Sequence, residues 1–171
     1  MKLYSSKIPV IAMDIVRTLT SDGDLETSNP REMEADIESV LREYLRMERN
    51  LTERAKDRVE AVGGTRQDLG KYKKALADQH NVGTGNEATS YILNQLLIIF
   101  MRSPHVDEIF AEDDAIRRKC RRVLERHMSE DEVIDKEVRE KIKNIQEGTK
   151  TWEVEYARVM DQVKRKHGVN E

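Results

Sequence analysis

Val40-Leu41-Arg42-Glu43-Tyr44-Leu45 reads against Val123-Leu124-Glu125-Arg126-His127-Met128 at an offset of 83 residues (123 minus 40). The match continues in both directions. Met33 falls opposite Ile116, Ile37 opposite Cys120, Leu51 opposite Ile134, Ala55 opposite Val138, Val59 opposite Ile142 and Val62 opposite Ile145. Steps of three and four place such residues on one face of a helix. A helix with one apolar stripe must cover it, and two similar units can cover each other. The expectation is an all-α helical bundle of two similar helical units, residues 1–85 and 86–171, sharing one core. An approximate two-fold axis would relate 33–45 to 116–128. The first helices fit this offset badly, since Asp14 falls opposite Leu97 and Leu19 opposite Arg102.

Composition narrows the class. Hydrophobic and charged residues each make up 37% of the chain and aromatic residues 5%, which favours long helices with much exposed surface. The formal charge of −3 removes the simplest argument for nucleic-acid binding, although a local patch could still serve. One cysteine excludes an internal disulfide and a cysteine-based metal cluster. No signal-length apolar stretch opens the chain, and the uncharged run Ala88–Met101 is too short to span a bilayer. A cytoplasmic protein without membrane insertion is expected.

Local signals place the helices. Pro9 suits the first turn of a helix over about 8–20, which Ser21-Asp22-Gly23-Asp24 stops. Asn29-Pro30-Arg31-Glu32 restarts a long helix to about Val62, with a possible bend at Asn50-Leu51-Thr52 and an end at Gly63-Gly64. Thr65–Asp68 opens a short helix, and His80–Gly85 is the joint between halves. Thr84-Gly85-Asn86-Glu87 has capping-box spacing before the most apolar helix, 88–101, which is expected to be central. The 131–166 tail predicts one long helix, or two broken near Gly148. No strand is predicted.

The opening string Met1-Lys2-Leu3-Tyr4-Ser5-Ser6-Lys7-Ile8-Pro9-Val10-Ile11-Ala12 carries a resemblance. With Ile15-Val16, Gly23-Asp24 and the Glu-Arg-rich helix through Arg46-Met47-Glu48-Arg49, the chain resembles domain-of-unknown-function family 507 over its whole length. The resemblance implies a small bacterial helical protein and brings no activity or site residues with it.

The candidate sites are few. Arg117, Arg118, Arg121, Arg122 and Arg126, with Lys119, form the densest basic cluster and could touch phosphates or an acidic partner. A solvated helix face is the plainer reading. Trp152, Tyr156, Val159 and Val163 continue a near-heptad stripe that could join two copies as a homodimer. The competing account covers that stripe with residues 33–62 of the same chain. His105-Val106-Asp107-Glu108 supplies too few converging ligands for a metal. Cys120, on the core stripe, reads as a small buried hydrophobe rather than a nucleophile. Asp14 should pair with an arginine of the long helix. Catalytic, cofactor and metal residues are therefore expected to be none. A non-enzymatic protein acting through a protein partner leads. A nucleic-acid-associated factor using the basic cluster is the alternative, and an enzyme with an unrecognised site at the joint between halves is the third reading.

Overall fold

The computed structural model describes residues 3–147 and 149–166. Their order is α1 (Ile8–Ser21), β1 (Leu25–Glu26), α2 (Pro30–Ala61), α3 (Leu69–Gln79), α4 (Ala88–Arg102), β2 (Glu108–Ile109), α5 (Asp113–Lys141) and α6 (Lys150–Lys166). The fold is all-α, with a small antiparallel sheet that the sequence pattern did not predict. Two-residue strands are too short to show any alternation.

Local chemistry accounts for the helix ends. Asn29 Oδ1 accepts the Glu32 backbone N–H at 3.4 Å, and Pro30 occupies the first helical position of α2. At the other end Gly63 adopts a positive φ of 64°, and the Gly64 N–H returns to the Val59 carbonyl at 2.9 Å. Thr65 and Asp68 form a reciprocal capping box before α3. The box expected at Thr84–Glu87 does not form. The Thr84 side chain makes no cap bond, and Gly85, at φ 61°, turns the chain instead. No break interrupts the helix near Asn50. Thr52 bonds back to the Glu48 carbonyl at 2.9 Å and α2 runs through unbroken.

Leu3–Glu125 form one compact unit, and the described residues from Arg126 onward belong to a second. The division falls inside α5, beyond the joint expected at 80–85, because α4 packs on α2. In the larger unit, Ile11, Ile15 and Leu19 of α1, Ile37 and Leu41 of α2 and Ile92, Leu93 and Leu96 of α4 are almost wholly buried. The helix expected to be central, α4, buries Ala88, Thr89, Ile92, Leu93, Leu96, Leu97 and Phe100, but one side of it is open. Ile98 is 43% exposed and Met101 73% exposed. Asp14 pairs at 2.6 Å with Arg17 of its own helix.

The boundaries repeat along the chain. β1 and β2 begin at 25 and 108, and α2 and α5 at 30 and 113, an offset of 83 in both cases. All six buried residues of α2 (33, 37, 41, 44, 51 and 55) fall 83 positions before buried residues of α5. For α1 and α4 the fitting offset is 81, the difference between their last residues, Ser21 and Arg102. At that offset Ile11 matches Ile92, Ala12 matches Leu93, Ile15 matches Leu96, Val16 matches Leu97 and Leu19 matches Phe100, and all are buried. The misfit of Asp14 and Leu19 therefore has a plain cause. Three residues (22–24) join α1 to β1, whereas five (103–107) join α4 to β2. The strands pair antiparallel, Leu25 with Ile109 and Glu26 with Glu108.

In the C-terminal unit, Ile134, Val138 and Ile142 form a buried cluster with Val159 and Val163 of α6. Ile145, Trp152, Tyr156 and Met160 pack against that cluster. The tail therefore forms two helices, as the second of its two expected forms had it. Gly148, at the expected break, lies outside the described residues.

Candidate functional site

The joint at 80–85 builds a cleft within the larger unit. Asn81, in the left-handed region at φ 53°, turns the chain after α3, and the Val82 N–H closes the turn on the Ala77 carbonyl at 2.9 Å. The chain then passes hard against the start of α4. A Cβ on Gly83 would stand 2.7 Å from both the Glu87 carbonyl oxygen and Tyr91 Cβ, so only glycine fits without a shift. Buried Tyr44 donates its hydroxyl to the Gly83 carbonyl at 3.3 Å and packs its ring 5.9 Å from that of Tyr91. These contacts set the end of α3 and the start of α4 beside the middle of α2.

The resulting cleft encloses about 410 Å³. Met47, Leu51, Val82 and Tyr91 give it an apolar floor, and Arg46, Asn50, Arg54 and His80 give it a polar wall. No Asp or Glu lines it, although 33 of the 171 residues are acidic. Arg46 is held by two hydrogen bonds to Glu43, at 2.9 and 2.8 Å. Arg54 differs. Its Nη1 lies 2.9 Å from His80 Nε2, and no carboxylate among the described residues neutralises it. Sequence reading passed over this site because Arg54, His80 and Tyr91 lie far apart in the chain and each alone reads as ordinary surface or packing.

The basic cluster on α5 separates into distinct roles. Lys119 pairs with Asp22 at 2.7 Å and Asp24 at 2.5 Å, fastening α5 to the loop after α1. Asp22, then Asp24, raises the Lys119 ammonium pKa above its ordinary value. Arg117 donates to Asn94 Oδ1 at 2.8 Å, and Arg121 lies 3.5 Å from Ser90 Oγ and 3.7 Å from Glu125. Arg118 and Arg122 are exposed, with no ion pair or hydrogen bond among the described residues. Arg126 lies across the division in the C-terminal unit and has an interaction of its own. Arg117, Arg118, Arg121 and Arg122 thus lie in the larger unit, with Arg117 and Arg121 held by α4. Ser90 and Asn94 are followed at helical spacing by the exposed Ile98 and Met101, so the α4 stripe that holds Arg117 and Arg121 continues as apolar surface.

The other expected residues have structural places. Of the stripe expected to join two copies, Val159 and Val163 are buried against α5, and Trp152 and Tyr156 are partly buried against the same cluster. Within the C-terminal unit that cover comes from Ile134, Val138 and Ile142. The Trp152 and Tyr156 rings stack at 4.8 Å, and the Arg139 guanidinium lies over both, at 5.5 and 5.9 Å. His105 and Asp107 hold the strand pair. The His105 carbonyl accepts from Thr27 Oγ1 at 2.6 Å, and Asp107 donates its N–H to the Glu26 carbonyl at 2.9 Å. Cys120 is 2% exposed, and burial, aided by the charge of Asp24, pushes its thiol up to about 12.

Fold and surface together define a small all-α protein whose distinctive places are a carboxylate-free cleft and an arginine-bearing helix face. The chain belongs to the family described as Protein of unknown function (DUF507), whose model matches residues 1–169. No curated protein matches it. No helix among the described residues is long and apolar enough to cross a membrane.

Proposed function

We propose that this is a non-enzymatic protein of the bacterial cytoplasm that works by binding another protein on the α4–α5 face of its larger unit. One observation carries the reading. On α4, the residues that hold Arg117 and Arg121 continue into exposed Ile98 and Met101, and α5 carries Arg118 and Arg122, exposed and without an ion pair or hydrogen bond among the described residues. Arginine and methionine are enriched where proteins meet, and apolar side chains supply the buried centre of such contacts. A surface that only tracks phosphates has no use for the apolar half. The partner surface expected here is acidic around an apolar anchor.

Two further features support parts of this reading. The matched boundaries and buried positions support a tandem duplication, α1–β1–α2–α3 followed by α4–β2–α5–α6. The duplicates differ in charge where they are equivalent. Glu34, Asp36 and Glu38 on α2 stand where α5 carries Arg117, Lys119 and Arg121. The basic face is thus specific to the second copy. Self-association through Trp152, Tyr156, Val159 and Val163 is not part of the proposal, because those residues already pack within the chain.

The unpaired Arg118 and Arg122 also suit a second reading, contact with nucleic acid. Capture of partners from a bacterial lysate, with and without nuclease, separates the two. A protein partner that survives nuclease supports the proposal. Recovery only with intact nucleic acid overturns it in favour of the second reading.

A further inference from the structure

We infer that the cleft between α2, the end of α3 and the start of α4 is a binding site for a small organic anion with an apolar body. The inference is independent of the α4–α5 face. It rests on the combination of four polar side chains, an apolar floor and the absence of any carboxylate in the wall.

Arg54 is the group that selects the charge. Its Nη1 lies 2.9 Å from His80 Nε2 rather than from a carboxylate, so the positive charge has no counter-ion among the described residues and the remaining N–H groups stay available. Asn50, one turn before Arg54 on α2, adds an amide to the same wall. Arg46 has bound Glu43 through Nε and Nη2, which leaves Nη1 for a ligand. Across from them, Leu51 and Val82 are buried, and Met47 and Tyr91 are half-buried. Their exposed edges are the natural seat of an aromatic or branched aliphatic group. The volume of about 410 Å³ lies at the lower end of the range of small-ligand pockets, roughly 300–1,000 Å³. A free inorganic anion would leave the floor in water. A neutral apolar molecule would leave Arg54 unpaired. An aryl or alkyl carboxylate or phosphate satisfies both.

The test uses 1-anilinonaphthalene-8-sulfonate, a fluorescent probe that combines an apolar body with one anionic group, and the full chain. The expected result is saturable binding at a single site. Arg54→Gln and, separately, Asn50→Glu, which places a carboxylate in the wall, should each weaken it about tenfold or more, with helical circular dichroism unchanged. The neutral analogue N-phenyl-1-naphthylamine should bind at least tenfold more weakly than the sulfonate. Benzoate and phenyl phosphate should displace the probe, and the one effective at lower concentration identifies the acid group. Probe binding that is absent, or that is unchanged in both variants, overturns the inference. So does failure of both competitors to displace it.

Discussion

Asp36 on α2 and Lys119 on α5 stand 83 positions apart (119 minus 36), at the same place in two matched helices, and fasten opposite loops. Lys119 holds Asp22 and Asp24, after α1, while Asp36 accepts the hydroxyl of Ser103, after α4. Ser103 lies 81 positions after Asp22, the offset that also matches α1 to α4. Each first helix is thus tied through its following loop to the second helix of the other half, once by an ion pair and once by a hydroxyl. Asp24 is buried, so its partner matters more than a surface ion pair would. Lys119→Ala should lower the thermal midpoint clearly more than Lys143→Ala, whose ammonium pairs with exposed Glu140. Equal midpoints would make the Lys119 contact incidental.

Leu97 and Ile98 are neighbours with different surroundings, at 8% and 43% exposure. Leu97→Ala should cost about 2–4 kcal/mol in urea denaturation, the range for truncating a buried leucine. Ile98→Ala should cost under about 1 kcal/mol. Similar losses at both would place Ile98 in the core and remove it from the proposed face.

Cys120 should resist alkylation in the folded protein at pH 8 and react fully once unfolded. Its thiol rises from an ordinary value near 9.0 to about 12 in the fold. The folded state therefore holds the proton where the unfolded state has lost it. The stability this gives is fully present below pH 9 and is lost as pH rises from 9 toward about 12. Buried Tyr44, raised by burial first and then by Glu48 and Tyr91, acts in the same direction. A stability that climbs across that range would contradict the assignment.

Arg139 clamps the helical hairpin of the C-terminal unit. It bonds Asp135 at 2.8 Å and Glu147 at 3.0 Å while lying over Trp152 and Tyr156. Arg139→Ala should cost about 1–2 kcal/mol, from two ring contacts and the lost packing of the side-chain stem. It should also shift the emission of Trp152, the only tryptophan, to the red. An unchanged spectrum would mean that the rings do not depend on the clamp.

The sequence was most readable where one residue type repeats on one helix face. Met33, Ile37 and Leu41 announce α2, and Gly63-Gly64 announces its end, because stripes and left-handed caps are local. Places made by distant residues were not readable. Arg54 meets His80 only through a turn that depends on Asn81 and Gly83. Leu25 and Ile109 form a strand pair too short to show in either segment alone. Ile98 and Met101 looked buried because hydrophobicity does not tell which side of a helix lacks a neighbour. Val159 and Val163 suggested a second copy because periodicity shows that a stripe needs cover and does not say which segment supplies it.

The claim that the α4–α5 face binds protein is tested most directly by comparing partner capture by the wild type, an Arg118→Glu, Ile98→Asp double variant and an Arg158→Glu control on α6, all after nuclease. Both sites of the double variant are exposed and should leave the fold intact. The account predicts that a partner retained by the wild type and the control is lost at least tenfold in the double variant. Equal retention by all three, with unchanged helicity, would contradict it.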